Sequence, residues 1–169
     1  MNSLDAETLR LAALAGLNVL DTREDQAYDD LTRLAASRLN APIALITLVD
    51  SDRQWFKSRV GLQVTETPRE HSFCAHAIAT PDEVFVVGDA KQDPRFAQNP
   101  LVVGDPGIRF YAGAPLVTST GQSVGALCII DREPRTIDAA DIEELRFLAR
   151  QVMNRLEQDR DEGNDRDDN

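Results

Sequence analysis

The chain has 169 residues and a mass of 18.7 kDa, the size of one ordinary domain with a short appendage, which excludes a multi-domain machine. With 42% hydrophobic residues it can build a core without metal or disulfide staples. Eighteen Lys and Arg against 29 Asp and Glu leave a net charge of -11, so binding to nucleic acid or to an anionic membrane face would work against the overall field.

Helical spacing of Leu4, Leu11, Leu14 and Leu17 predicts an N-terminal helix, favoured at its start by Asp5 and Glu7 and weakened at its end by Gly16. A second helix is expected after Thr22, which can cap while Asp25 reaches back, with Tyr28, Leu31, Leu34, Ala35 and Leu39 on one face. Ile43 to Val49 is a near-continuous apolar, β-branched run, as in central strands, and Arg53 to Val60 returns as its hairpin partner after the turn Asp50-Ser51-Asp52. One of Trp55 and Phe56 faces the core; the other is free for a pocket or a partner.

From Leu62 to Ile108 regularity lapses into a short helix (Ser72 to Ala79), a brief strand (Val84 to Val87) and a loop rich in Asp, Pro and Gly, the kind of stretch that covers a cavity. Two strands follow, Arg109 to Val117 and Ser123 to Asp131, whose Gly113 and Gly125 suggest close backbone approach or a bulge. Asp138 caps the last helix, with Ile137 and Ile142 as a hydrophobic staple. Along it Ile142, Leu145, Ala149, Val152 and Leu156 keep a 3-4-3-4 spacing, a seam for self-association or for packing on its own sheet. Glu157 to Asn169 holds seven acids and two arginines and no apolar residue, which predicts a disordered acidic tail over 158–169. Hairpins rather than crossovers join most strands, so the class is α+β with an antiparallel sheet.

The densest reactive cluster is His71-Ser72-Phe73-Cys74-Ala75-His76. A zinc site would need distant Cys128 to complete it, and Cys-x-His on a helix sets the two side chains about 200° apart, a poor catalytic pair. A tetrapyrrole anchor and a simply buried thiol remain as readings of Cys74. Asp89, Asp93, Arg95, Phe96, Arg109, Phe110 and Tyr111 form a second cluster, able to hold a flat polar ligand or to tie a loop to the sheet. Phosphate-loop, Gly-x-Ser-x-Gly, His-Glu-x-x-His and Cys-x-x-Cys motifs are absent from the sequence. Without a secretory signal, and with no apolar run near the ~18 residues that span a bilayer, a cytoplasmic protein without a structural disulfide is expected.

The segments APIALITLVDSDRQWFKSRVGL, ETPREHSFCAHAI, DAKQDPRFAQNPLV, IRFYAGAPL and GQSVGALCIIDREPR, with the helices around them, resemble a bacterial GAF domain of the kind found ahead of histidine kinases and diguanylate cyclases. The resemblance runs from Leu17 to Glu157. It implies a central sheet of five or six strands, with the terminal helices on one face and a loop-covered pocket on the other. In domain terms it implies a helix and linker over 1–21, the GAF domain over 22–157, and the tail. The function implied is a non-enzymatic sensor binding a small ligand and signalling through paired terminal helices, as a homodimer or toward a kinase or cyclase in trans. An interaction module without ligand, or a thiol redox protein using Cys74, are the alternatives. Carried onto this chain, the pocket residues are Phe73, Cys74, His76, Asp89, Phe96, Arg109 and Tyr111, and the interface is the 142–156 seam; no metal is expected and the cofactor is open. The Asn-Lys…Phe…Asp-Glu pattern of cyclic-nucleotide binders is missing, Ala75 separates Cys74 from His76 where bilin binders have Cys-His, and two cysteines fall short of the three of free methionine sulfoxide reductases. The chain stops soon after its last helix, so it is expected to act in trans, to be a truncated relic, or to be a piece of a longer receptor.

Overall fold

The computed structural model describes residues 3–167, in the order α1 (Ser3–Gly16), α2 (Gln26–Arg38), β1 (Ile43–Val49), β2 (Arg53–Val60), β3 (Glu66–Pro68), α3 (Cys74–Ala77), β4 (Phe85–Val87), α4 (Pro100–Val103), β5 (Phe110–Val117), β6 (Ser123–Asp131) and α5 (Ala139–Asp167). The strands form one antiparallel sheet in the order β3-β2-β1-β6-β5-β4, giving the expected α+β class. All seven residues of β1 are buried. Ala44, Ile46 and Leu48 enter the core beneath α1, α2 and α5, whereas Ile43, Leu45 and Val49 enter a second core beneath the segment 62–109. Gly125 lies on β6 opposite Leu48, where a Cβ would collide with the Thr47 carbonyl, so only glycine lets β1 and β6 pair there.

Capping explains where the helices begin. Asp138 Oδ1 accepts from Asp141 N at 2.8 Å, as its position predicts. The cap of α2 is Asp25 rather than Thr22: Asp25 Oδ1 accepts from Ala27 N, while the Thr22 hydroxyl donates back to the Val19 carbonyl and closes the preceding turn. Helix α1 is fixed to the sheet by Arg10, which is 6% exposed and donates to the Val49 carbonyl and to Glu7. Arg10 first, and then Arg69, hold the Glu7 carboxyl down at about 2 against the opposing effect of burial.

Two expectations are corrected. The acidic segment after residue 157 is helical to Asp167, not disordered; residues 168 and 169 of that tail lie outside the described residues. Once a helix is nucleated each further residue adds cheaply, and here Asp159 accepts from the Tyr28 hydroxyl (2.7 Å) and pairs with Arg155 (3.0 Å), while Glu157 accepts from Ser119 N and Oγ. The seam is the second correction. Leu145, Ala149, Val152 and Leu156 are all buried in the protomer's own core with Leu148 and Met153, and Ile142 is half-buried, because a 3-4 stripe fits a sheet face as well as a partner helix. The large apolar side chain that α5 leaves outside, among the described residues, is Phe147, 44% exposed.

Leu145→Asp is therefore expected to unfold the domain, with a loss of more than about 4 kcal/mol in urea denaturation, instead of separating intact protomers. Phe147→Asp should leave the unfolding midpoint nearly unchanged.

Candidate functional site

Of the seven residues expected to line a pocket, Asp89 alone borders an open depression, a shallow one along β4 shared with Asp93 and Arg95, and the other six are packed among themselves or against the sheet. Phe73 and Phe96 stack at 4.1 Å with planes 10° apart, Tyr111 packs on Phe73 at 5.2 Å, and Cys74 Sγ lies 2.9 Å from the Tyr111 hydroxyl. These four side chains are each no more than 2% exposed and form the centre of the second core. Tyr111 fits because the residue two places on is Gly113, whose missing side chain leaves room for the phenol. Burial pushes the Tyr111 phenol and the Cys128 thiol well up. For Cys74 burial acts in the same sense, but hydrogen bonds from Cys128, Thr47 and Tyr111 outweigh it and draw the thiol down.

The other three sit at the edge of this cluster. His76 is exposed on one side and leans on Phe85 (5.9 Å) and Phe96 (4.9 Å), and burial together with the nearby Arg95 lowers its basicity. Asp89 accepts from Lys91 N and caps a 3-10 turn. Arg109 donates from Nη1 to the carbonyls of Val102 and Ile108, so it ties α4 to the residues leading into β5. No group of three or more His, Cys, Asp and Glu suited to a metal ion occurs among the described residues.

An apolar cleft on this face lies nearer β2, with a volume of about 380 Å³. Its floor is Leu45 of β1, Phe56 of β2 and Ile130 of β6; its walls are the 61–64 turn on one side and Leu101, Pro106 and Ile108 on the other. Gln54 lies within it, with its amide already engaged by Thr67 and Ser72, and Asp105 and Arg132 stand at its mouth. Sequence reasoning missed the cleft because its lining comes from six separate stretches of chain. The alternation of Gln54 and Phe56, which shares a face, was the signal that pointed toward it.

On the opposite sheet face a β-bulge connects this cleft to the helices. Ile46 pairs with Ser58 but Thr47 with Phe56, leaving Lys57 as the extra residue. Lys57, 7% exposed, donates from Nζ to Thr22 Oγ1 (2.9 Å) and the Arg23 carbonyl (2.6 Å) and lies 5.2 Å from the centre of the Tyr28 ring. Ser58 beside it donates to Asp29 of α2. Burial lowers the Lys57 pKa, and burial with the Asp159 bond raises that of Tyr28 well above its usual range.

Residues 23–156 match the GAF domain family. The chain belongs to that family. A cyclic di-GMP phosphodiesterase of Pseudomonas aeruginosa is 46% identical over 151 residues, which cover 89% of this chain and 26% of that protein, so the GAF chain spans about a quarter of the length of its relative. The GAF domain of a phosphoenolpyruvate-protein phosphotransferase from Coxiella burnetii has the same fold at TM-score 0.69 and 15% identity, covering 96% of this chain and 99% of that one. Free methionine-R-sulfoxide reductase of Neisseria meningitidis, at TM-score 0.65 and 22% identity over 95% of each chain, shares it too. The described helices of this GAF domain include none long and apolar enough to cross a membrane.

Burial sets an expectation for its thiols. Cys74 and Cys128 should resist iodoacetamide in the native protein, with modification appearing by mass spectrometry only after unfolding; fast native alkylation of Cys74 would revive a redox role.

Proposed function

We propose that this GAF domain is a non-catalytic, cytoplasmic sensory module that takes a small ligand into the cleft beneath α4 and passes the change to α5. The protein it serves acts, like the Pseudomonas relative, in cyclic di-GMP signalling, or reaches a kinase or cyclase in trans. The carrying observation is the 380 Å³ apolar cleft left open beside the tightly packed aromatic core of the same sheet face. Its polar lining, Gln54, Gln63, Thr67, Asp105 and Arg132, suits recognition more than bond-breaking. Strand β2 supplies the route: Phe56 forms the cleft floor, its neighbour Lys57 touches Tyr28, and Tyr28 holds Asp159 of α5. A ligand that favours one setting of the bulge shifts the population of docked α5 ends.

Native mass spectrometry of untagged protein from its producing cells should show an added mass that is lost in Leu62→Trp, a substitution that fills the cleft. A bare wild-type protein would defeat the ligand reading and favour the second one, an interaction module whose pocket is closed by its own Phe73, Phe96 and Tyr111. The same core that fills that pocket is the observation in favour of this alternative.

The relay has its own test. Tyr28→Phe removes one hydrogen bond to a carboxylate, so amide exchange over 157–163 should quicken by roughly tenfold while β1 and β6 keep their protection. Unchanged exchange there would remove Tyr28 from the route.

A further inference from the structure

The inner and outer parts of the cleft make different demands on an occupant. Inside, Leu45, Phe56, Ile108 and Ile130 offer only hydrocarbon. The one polar side chain at that depth, Gln54, is 5% exposed and already donates to Thr67 Oγ1 (2.7 Å) and accepts from Ser72 Oγ (2.6 Å). A polar group carried inward would lose its water and find no partner, so the inner part of the occupant is apolar.

The mouth carries one charge of each sign. Asp105 belongs to the loop after α4, and Arg132 to the segment after β6. Arg132 Nε donates to the Pro106 carbonyl at 3.1 Å, which holds the guanidinium over the loop that bears Asp105 while leaving its terminal nitrogens free. Arg10, Arg53, Arg69, Arg95 and Arg135 all hold carboxylates within 4 Å. Among the described residues neither Asp105 nor Arg132 has an ion-pair partner, although the chain carries a large excess of acid. An anion alone would be drawn to Arg132 and repelled by Asp105, and a cation alone the reverse, so the pair selects a ligand that presents both charges together.

We propose that the cleft binds a small zwitterion with an apolar body, namely an α-amino acid with a side chain of leucine to phenylalanine size. The hydrocarbon lies on Phe56 and Ile130, the carboxylate meets Arg132, and the ammonium meets Asp105. The volume of about 380 Å³ is at the small end for ligand sites and admits one such molecule with room for water around its charged end. This identification rests on the ligand-sensor reading above. Because both charges are at the surface, binding weakens as salt rises.

Isothermal titration at low ionic strength tests it with L-leucine, L-phenylalanine, L-serine, 4-methylpentanoate, 3-methylbutylamine and the neutral 4-methyl-1-pentanol. Leucine or phenylalanine should bind at least about fivefold more tightly than the acid, the amine or the alcohol, and serine should give no heat. Asp105→Asn should abolish the preference for leucine over 4-methylpentanoate, and Arg132→Gln the preference over 3-methylbutylamine; both positions are exposed, so circular dichroism should stay unchanged. Equal binding of leucine and the single-charge probes, indifference to both substitutions, or no heat with either apolar amino acid would overturn the proposal. Tight binding of the alcohol, lost in Leu62→Trp, would reject the zwitterion and leave the ligand cleft standing, whereas a bare protein in native mass spectrometry rejects the cleft reading itself.

Discussion

Both faces of the central strand β1 are buried, and the rest of the molecule answers that demand. A strand with apolar residues on both sides needs a layer over each. Long amphipathic helices cover one face at low cost in irregular backbone, because their own hydrogen bonds are made internally. The other face is covered by segment 62–109, which has no long element and must satisfy its backbone through caps and turns: Asp89 on Lys91, Asp93 on Arg95, Asn99 on Leu101. The aromatic stack of Phe73, Phe96 and Tyr111 gives that irregular layer its rigidity.

The same division of labour separates the two halves of the pocket face. Toward β5 the layer is closed by aromatic packing around the thiols. Toward β2 it is held by the short α4, and Arg109, which precedes β5 and is tied to α4 through the Val102 carbonyl, defines the boundary between closed and open parts. The cleft is therefore bounded by elements that are themselves tethered at few points, the condition under which a ligand can alter shape at modest cost.

Much of this was legible in the sequence. The run 43–49, the two hairpins and the Asp138 cap each carry a local signal strong enough to survive tertiary context, and the GAF resemblance, which rests on the likeness of whole segments to that family, supplied the arrangement of the layers. Strand β3 has three residues and no periodicity to detect, and the 3-10 turns at Arg69–His71 and Ala90–Gln92 likewise lie below the length at which pattern speaks. The α5 stripe shows a different limit, since identical spacing serves a sheet and a second helix. Composition misjudged the acidic end because it weighs a segment alone, and the partners that order it, Tyr28 and Ser119, are more than thirty residues away. The bulge at Lys57 escaped as well: a lysine between Phe56 and Ser58 reads as an ordinary outward position until its neighbour's register is known.

Helix α5 also has a mechanical meaning. Its 29 residues make a rod of about 44 Å, seated at one end by the Asp138 cap. A tilt of about 5° about that seat would carry the far end through about 4 Å, on the order of the rise of one helical turn. Asp159 lies about 30 Å out along the rod, so a displacement at its grip on Tyr28 reaches the tip enlarged by about half. A domain with so small a cleft can thus deliver a movement that a neighbouring protein surface would register as a change of packing.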